Sequence, residues 1–260
     1  ATYKCWGQGA SGRLGIGDIN NRGDGAGEMG DNLPAVDLGQ GHAGQRVTSG
    51  ANHSCAILDD GTVKCWGGNA NGQLGLGDVT SRGVGPDQMA DALLSVDLGN
   101  GRTAVAVDSS SNHTCAILDN GKVKCWGLNI DGQLGLGDTV NRGDGPGEMG
   151  ASLPSVSLGA GRTAVALAGG NSHTCAVLAD ATVKCWGRND SGQLGLGDVL
   201  PRGDGAGEMG GNLPTVALGA GRTAVAISAG DLHTCAVLDN AEVKCWGLNS
   251  IGQLGQGDTT

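Results

Sequence analysis

The chain repeats itself without a gap every 60 residues, and this constrains its fold more than any other property. Lys-Cys-Trp-Gly recurs with its cysteine at Cys5, Cys65, Cys125, Cys185 and Cys245. Gly-Gln-Leu-Gly-Leu-Gly-Asp, or a near variant, ends at Asp18, Asp78, Asp138, Asp198 and Asp258, and His-(Ser/Thr)-Cys-Ala starts at His53, His113, His173 and His233. Four periods and 20 further residues make up the 260. Self-similarity at this spacing marks a propeller, a solenoid or an array, in which each unit buries its apolar face against the next. No linker interrupts it, so residues 1–260 read as one repeat domain: a partial repeat over 1–52, hairpins at 53–67, 113–127, 173–187 and 233–247, and a truncated end over 248–260.

Within one period, Ser155–Leu158, Thr163–Leu167, Thr174–Leu178 and Thr182–Trp186 are short alternating runs bounded by glycine, asparagine and aspartate, the pattern of strands and turns. No stretch of ten or more residues carries a helical apolar period. Four short antiparallel strands per repeat describe a propeller blade. The expected fold is therefore all-β, a β-propeller of 60-residue four-stranded blades. With about four and a third repeats, the ring is expected to be partial or completed between chains. Phenylalanine is absent and tyrosine occurs once, so Trp6, Trp66, Trp126, Trp186 and Trp246 are the large rings available for the core.

The cysteines set the register. In Cys55-Ala-Ile-Leu-Asp-Asp-Gly-Thr-Val-Lys-Cys65 the two thiols are symmetric about Asp60. A three-residue loop with Gly61 in the left-handed conformation would place them opposite one another, within disulfide reach. The same spacing pairs Cys115 with Cys125, Cys175 with Cys185, and Cys235 with Cys245, and leaves Cys5 unpaired. Four such bridges imply an oxidising compartment, outside the cell or at its surface. The alternatives are buried reduced thiols in a cytosolic protein and, more weakly, zinc. Alanine replaces the turn glycine at Ala181 and Ala241, where the loops should be less comfortable.

His-Thr-Cys-Ala-Val-Leu, Val-Lys-Cys-Trp-Gly and Gly-Gln-Leu-Gly-Leu-Gly-Asp together closely resemble the regulator of chromosome condensation repeat, in every period. The resemblance implies a β-propeller, usually of seven blades. The family's eukaryotic founder is a nucleotide exchange factor for a small nuclear GTPase and binds chromatin; a secreted bacterial relative inhibits β-lactamases. The paired cysteines and the acidic insert Arg-Gly-Asp-Gly-x-Gly-Glu-Met-Gly depart from the founder. They look more like disulfide-bearing repeats of secreted bacterial proteins, so the exchange activity is not carried over.

A net charge of −10 argues against nucleic acid, whose phosphates require a basic face, and no run is long enough for an apolar membrane span. The histidines either bond locally at strand starts or face a channel and hold a metal. The acidic insert offers Asp18, Asp24 and Glu28, then Asp138, Asp144 and Glu148, then Asp198, Asp204 and Glu208, an oxygen-rich set that suits calcium or forms solvated loops. The second period interrupts it with Val84 and Gln88. The insert also spells Arg-Gly-Asp at Arg22, Arg142 and Arg202, a tripeptide that some adhesion receptors read. Catalysis needs one asymmetric constellation, whereas nearly every polar group here recurs. The reading is a non-catalytic extracellular scaffold for protein recognition with no cofactor. Recognition falls to the turns around Asn69–Asn71, Asn129–Asp131 and Asn189–Ser191 and to the inserts. The rival readings are a subunit of an open filament or surface assembly, by self-association, and a calcium-dependent adhesin.

Overall fold

A computed structural model describes residues 2–259. Among them lie twelve strands in four separate antiparallel sheets, each a three-stranded meander. The first sheet comprises β1 (Gly44–Ser49), β2 (His53–Leu58) and β3 (Val63–Gly67); the second, β4 (Ala104–Ser109), β5 (His113–Leu118) and β6 (Val123–Gly127). The third comprises β7 (Ala164–Gly169), β8 (His173–Leu178) and β9 (Val183–Gly187); the fourth, β10 (Ala224–Ala229), β11 (His233–Leu238) and β12 (Val243–Gly247). The first strands of successive sheets touch one another, β1 with β4, β4 with β7 and β7 with β10, so the sheets fan around a common side.

The expected hairpins form with the expected register. Cys55 lies opposite Cys65 and Ile57 opposite Val63, and the loop closes through Gly61, whose φ is +78°. All four pairs are disulfides with Cα atoms 4.0–4.1 Å apart. Ala181 and Ala241 take the same left-handed conformation, with φ of 60° and 66°, although their Cβ atoms disfavour it by about 1 kcal/mol. Ala181→Gly is accordingly expected to stabilise the chain by about 1 kcal/mol, read as a shift in urea midpoint at unchanged slope.

The fourth strand is not there. Ser155–Leu158 is an irregular segment, held to the preceding sheet by one backbone bond, Val156 N–H to the Val123 carbonyl at 2.8 Å. Val156 and Leu158 are buried, which is why the segment alternates like a strand. Pro154, however, has no N–H to extend the ladder. The far end of β6 pairs instead with the acidic insert, through a Gly127–Arg142 bridge. The outer edge of each of the first three sheets is thus shared by two segments, neither long enough to become a strand.

The core is a series of interfaces between sheets. Cys115, Ile117, Val123 and Cys125 on one face of the second sheet meet Ala176, Leu178 and Trp186 on the facing side of the third, with Leu134, Val156, Leu158 and Leu213 filling the margins. The same arrangement recurs on either side of it. Alternation in Val-Lys-Cys-Trp sends valine and cysteine to one neighbour and tryptophan to the other. Trp66, Trp126 and Trp186 are wholly buried and Trp246 is partly so. Trp6 departs from the expectation that all five rings pack inside: it is 64% exposed, because no sheet lies against its face.

Candidate recognition surface

Most polar side chains singled out in the sequence are consumed in holding the frame. His53 Nε2 lies 2.7 Å from Thr114 Oγ1 in the next sheet, and Thr114 donates its own proton to the Gln73 carbonyl at 2.8 Å. The hydroxyl must therefore accept from His53, which fixes the Nε2-protonated tautomer. His113 repeats this with Thr174 and His173 with Thr234, each at 2.9 Å. The Trp126 indole donates to the same Gln73 carbonyl at 3.0 Å. His53, His113 and His173 are thus rungs between sheets, not local backbone caps, and the reason is packing: each of these imidazoles faces the neighbouring sheet. Nδ1 of His53, His113 and His173 is buried with no partner. Burial holds His53 and His113 down to about 3 and His173 to about 4.

Sequence reasoning missed the lysine of Lys-Cys-Trp-Gly. Lys64, Lys124 and Lys184 are only 3–7% exposed. Lys64 Nζ donates to the carbonyls of Leu38 and Ala90 at 2.9 and 2.8 Å, and Lys124 to those of Leu98 and Gly150 at 3.0 and 2.6 Å. Burial pushes the Lys64 ammonium below the ordinary lysine range. The signal was available, since a residue between valine and cysteine must share the face of the tryptophan.

The acidic insert is a self-satisfied loop. Glu28 Oε2 accepts the amides of Gly23, Asp24 and Gly25 at 2.8–3.1 Å. Glu148 accepts those of Gly143 and Gly145, and Glu208 those of Gly203 and Gly205. Gln88 takes the same place in the second period, accepting from Val84 at 3.0 Å, so the apparent break preserves the bond. Asp18, Asp78, Asp138 and Asp198 each meet the arginine four residues on at 2.5–2.7 Å. The Leu200 amide, with Arg202 beside it, holds Asp198 below the usual carboxylate range. The arginine of each Arg-Gly-Asp is therefore pinned. Asp24 accepts from Asn21 at 3.0 Å, while burial and the adjacent Glu208 raise Asp204. Among the described residues, the carboxylates proposed for calcium do not bring three potential ligand atoms within 4.8 Å of one another. Cys5 is a free, half-buried thiol whose pKa burial raises.

The turns expected to carry recognition divide sharply. Asn69, Asn129 and Asn189 are at most 1% exposed. Asn129 Nδ2 donates to the Asp138 and Val140 carbonyls while its Oδ1 accepts from the Leu134 amide. The neighbouring residues Ala70, Ile130, Asp190 and Ser250 are exposed, and Ile130 leaves 63% of its surface in water. These tips occupy one repeat position, so they line the same end of successive sheets, and each carries a different side chain. No helix among the described residues is long and apolar enough to cross a membrane.

Comparison with known proteins agrees with this geometry. A model of the regulator of chromosome condensation (RCC1) repeat matches residues 60–117, 120–177 and 181–237. The ultraviolet-B receptor UVR8 of Arabidopsis thaliana is 35% identical over 219 residues, covering 82% of this chain and 43% of that protein. Protein pim1 of Schizosaccharomyces pombe is 30% identical over 82% of this chain and 38% of its own length. The chain thus spans less than half of these relatives. In fold it is similar to yeast RCC1 (Prp20) in its complex with Kap60, with a TM-score of 0.69 at 23% identity over 96% of this chain and 53% of that one. Human WBSCR16 gives 0.68 at 20% identity, over 94% and 56%. With the repeat model matched through most of its length, the chain belongs to the regulator of chromosome condensation (RCC1) repeat family.

Proposed function

We propose that the chain is a non-catalytic β-propeller scaffold for protein recognition outside the cell, its four sheets acting as successive blades of a ring. One observation carries the reading. The exposed tip of each turn varies, as Ala70, Ile130, Asp190 and Ser250, above an asparagine anchor that does not, and a rigid frame with variable loops suits a binding surface. The acidic loops add charge around the same frame. The four disulfides support the extracellular setting, and a secreted bacterial origin is the specific form that setting takes. Yeast RCC1, similar to this chain in fold, is seen bound to Kap60. Exchange activity is not part of the proposal, since the histidine, lysine and acidic-loop side chains recur in equivalent structural bonds.

A photo-crosslinking residue at position 130 tests this in culture medium or extracellular extract from the source organism. A defined protein adduct is expected, competed by excess unlabelled chain and lost when Asp190 is also changed to Lys. Labelling that neither competition nor Asp190→Lys alters would refute recognition at this face.

A further inference from the structure

One corner of the first sheet departs from the repeat at two positions that meet in space. In the other sheets, the turn leading into the first strand carries an arginine that faces a carboxylate in the hairpin loop: Arg102 with Asp119 at 2.9 Å, Arg162 with Asp180 at 3.4 Å, and Arg222 with Asp239 at 3.4 Å. Each of those loops holds a single aspartate, reading Asp119-Asn120, Ala179-Asp180 and Asp239-Asn240. In the first sheet His42 replaces the arginine and the loop reads Asp59-Asp60. One guanidinium facing one carboxylate has become one imidazole facing two.

The exchange changes the chemistry available. An arginine offers only donors and a permanent charge, whereas a neutral imidazole nitrogen offers a lone pair to a metal. His42 Nδ1 lies 3.7 Å from Asp59 Oδ1 and 3.8 Å from Asp60 Oδ2. Asp60 spends its other oxygen on the amide and hydroxyl of Thr62, at 2.9 and 2.7 Å. That bond anchors the carboxylate and leaves Oδ2 turned to the imidazole. The three ligand atoms lie within 4.8 Å of one another, and no other histidine, cysteine or carboxylate group among the described residues achieves this. Nitrogen and oxygen ligands at about 2.0–2.2 Å from a tetrahedral zinc ion stand about 3.3–3.5 Å apart. The two imidazole–carboxylate distances exceed this by a few tenths of an ångström, and the two carboxylate oxygens, within 4.8 Å of one another, close on the ion by rotation of exposed side chains.

We propose that His42 Nδ1, Asp59 Oδ1 and Asp60 Oδ2 form a binding site for a divalent first-row transition ion, zinc being the probe of choice. The fourth coordination position is left to water or to a ligand from outside the chain, as in zinc sites with three protein ligands. Calcium does not fit, since it seeks six to eight oxygens. The site stands apart from the recognition tips and does not depend on what they bind.

The test is a calorimetric titration of the oxidised, native chain with zinc chloride. Two variants borrow their residue from sister repeats and so preserve the fold: His42→Arg and Asp60→Asn. One zinc ion per chain is expected, with affinity reduced at least tenfold in either variant and unaffected by an equal concentration of calcium. Absence of saturable binding would overturn the proposal. So would binding that His42→Arg leaves unchanged, which would place the ion at the Cys5 thiol or on the acidic loops.

Discussion

Chain refolded in dithiothreitol is expected to melt about 20 °C below oxidised chain, or not to fold at all. Each disulfide closes a loop across a sequence separation of 10, and the loss of chain entropy in the unfolded state stabilises by about 2.7 kcal/mol per bridge. The four bridges together reach about 11 kcal/mol, as much as the whole stability of an ordinary domain. For a chain of 260 residues, that loss corresponds to the stated fall in melting temperature. Reductant must be present during refolding, because the cysteines of the first three sheets are at most 1% exposed when folded. Circular dichroism melts decide it, and equal melting with and without reductant would also remove the main support for an oxidising compartment. Replacing Cys175 and Cys185 together by serine should cost about 3 kcal/mol alone.

Acid should unfold the chain well before its carboxylates are exhausted. The folded state holds His53 and His113 at about 3 and His173 at about 4, against about 6.5 in an unfolded chain. Below 6.5 the unfolded chain takes up protons that the folded one refuses, so stability present at neutral pH is lost as pH falls toward the folded values. Between pH 7 and 5 this is about 2 kcal/mol per histidine. Geometry gives the same direction. A protonated ring would need an acceptor for Nδ1–H, and the structure offers none. Asp108 opposes the trend. Burial raises its pKa to about 6, against the pull of the Gly169 amide at 2.9 Å and the Ser110 hydroxyl. Its contribution is therefore present below the unfolded value and is lost as pH rises through 6. It offsets a little over ~1 kcal/mol over the same interval, leaving a net loss of about 4–5 kcal/mol. Guanidinium midpoints at the two pH values measure it. His113→Gln should flatten the dependence by nearly half, and Asp108→Asn should steepen it. Midpoints independent of pH would show that the buried rings are solvated.

What was legible in the residues follows from how far apart the interacting groups lie. The hairpins could be read because the cysteines, the turn glycine and the flanking alternation fall within eleven residues, and a β-pair is a local object. Ser155–Leu158 was misread because burial and strand pairing leave the same alternating mark, and only the backbone bonds distinguish them. The partner of His53 is 61 residues away, on a sheet whose distance from His53 no local pattern reports. The same holds for Lys64, whose acceptors are 26 residues off in either direction. In the turns proposed for recognition, the exposed tip is one residue from the asparagine. The asparagine and its neighbour look equally polar and equally loop-like in sequence, and only the fold buries one and exposes the other.

The rungs between sheets have a consequence for how such chains change over generations. Every one joins a repeat to its successor through the same donor, the same acceptor and the same offset. A recombination event that adds or deletes one whole period therefore delivers a junction whose partners already match. Repeat number can drift while every interface stays intact, and a tip residue such as Ile130 can be duplicated, lost or diversified without disturbing its neighbours.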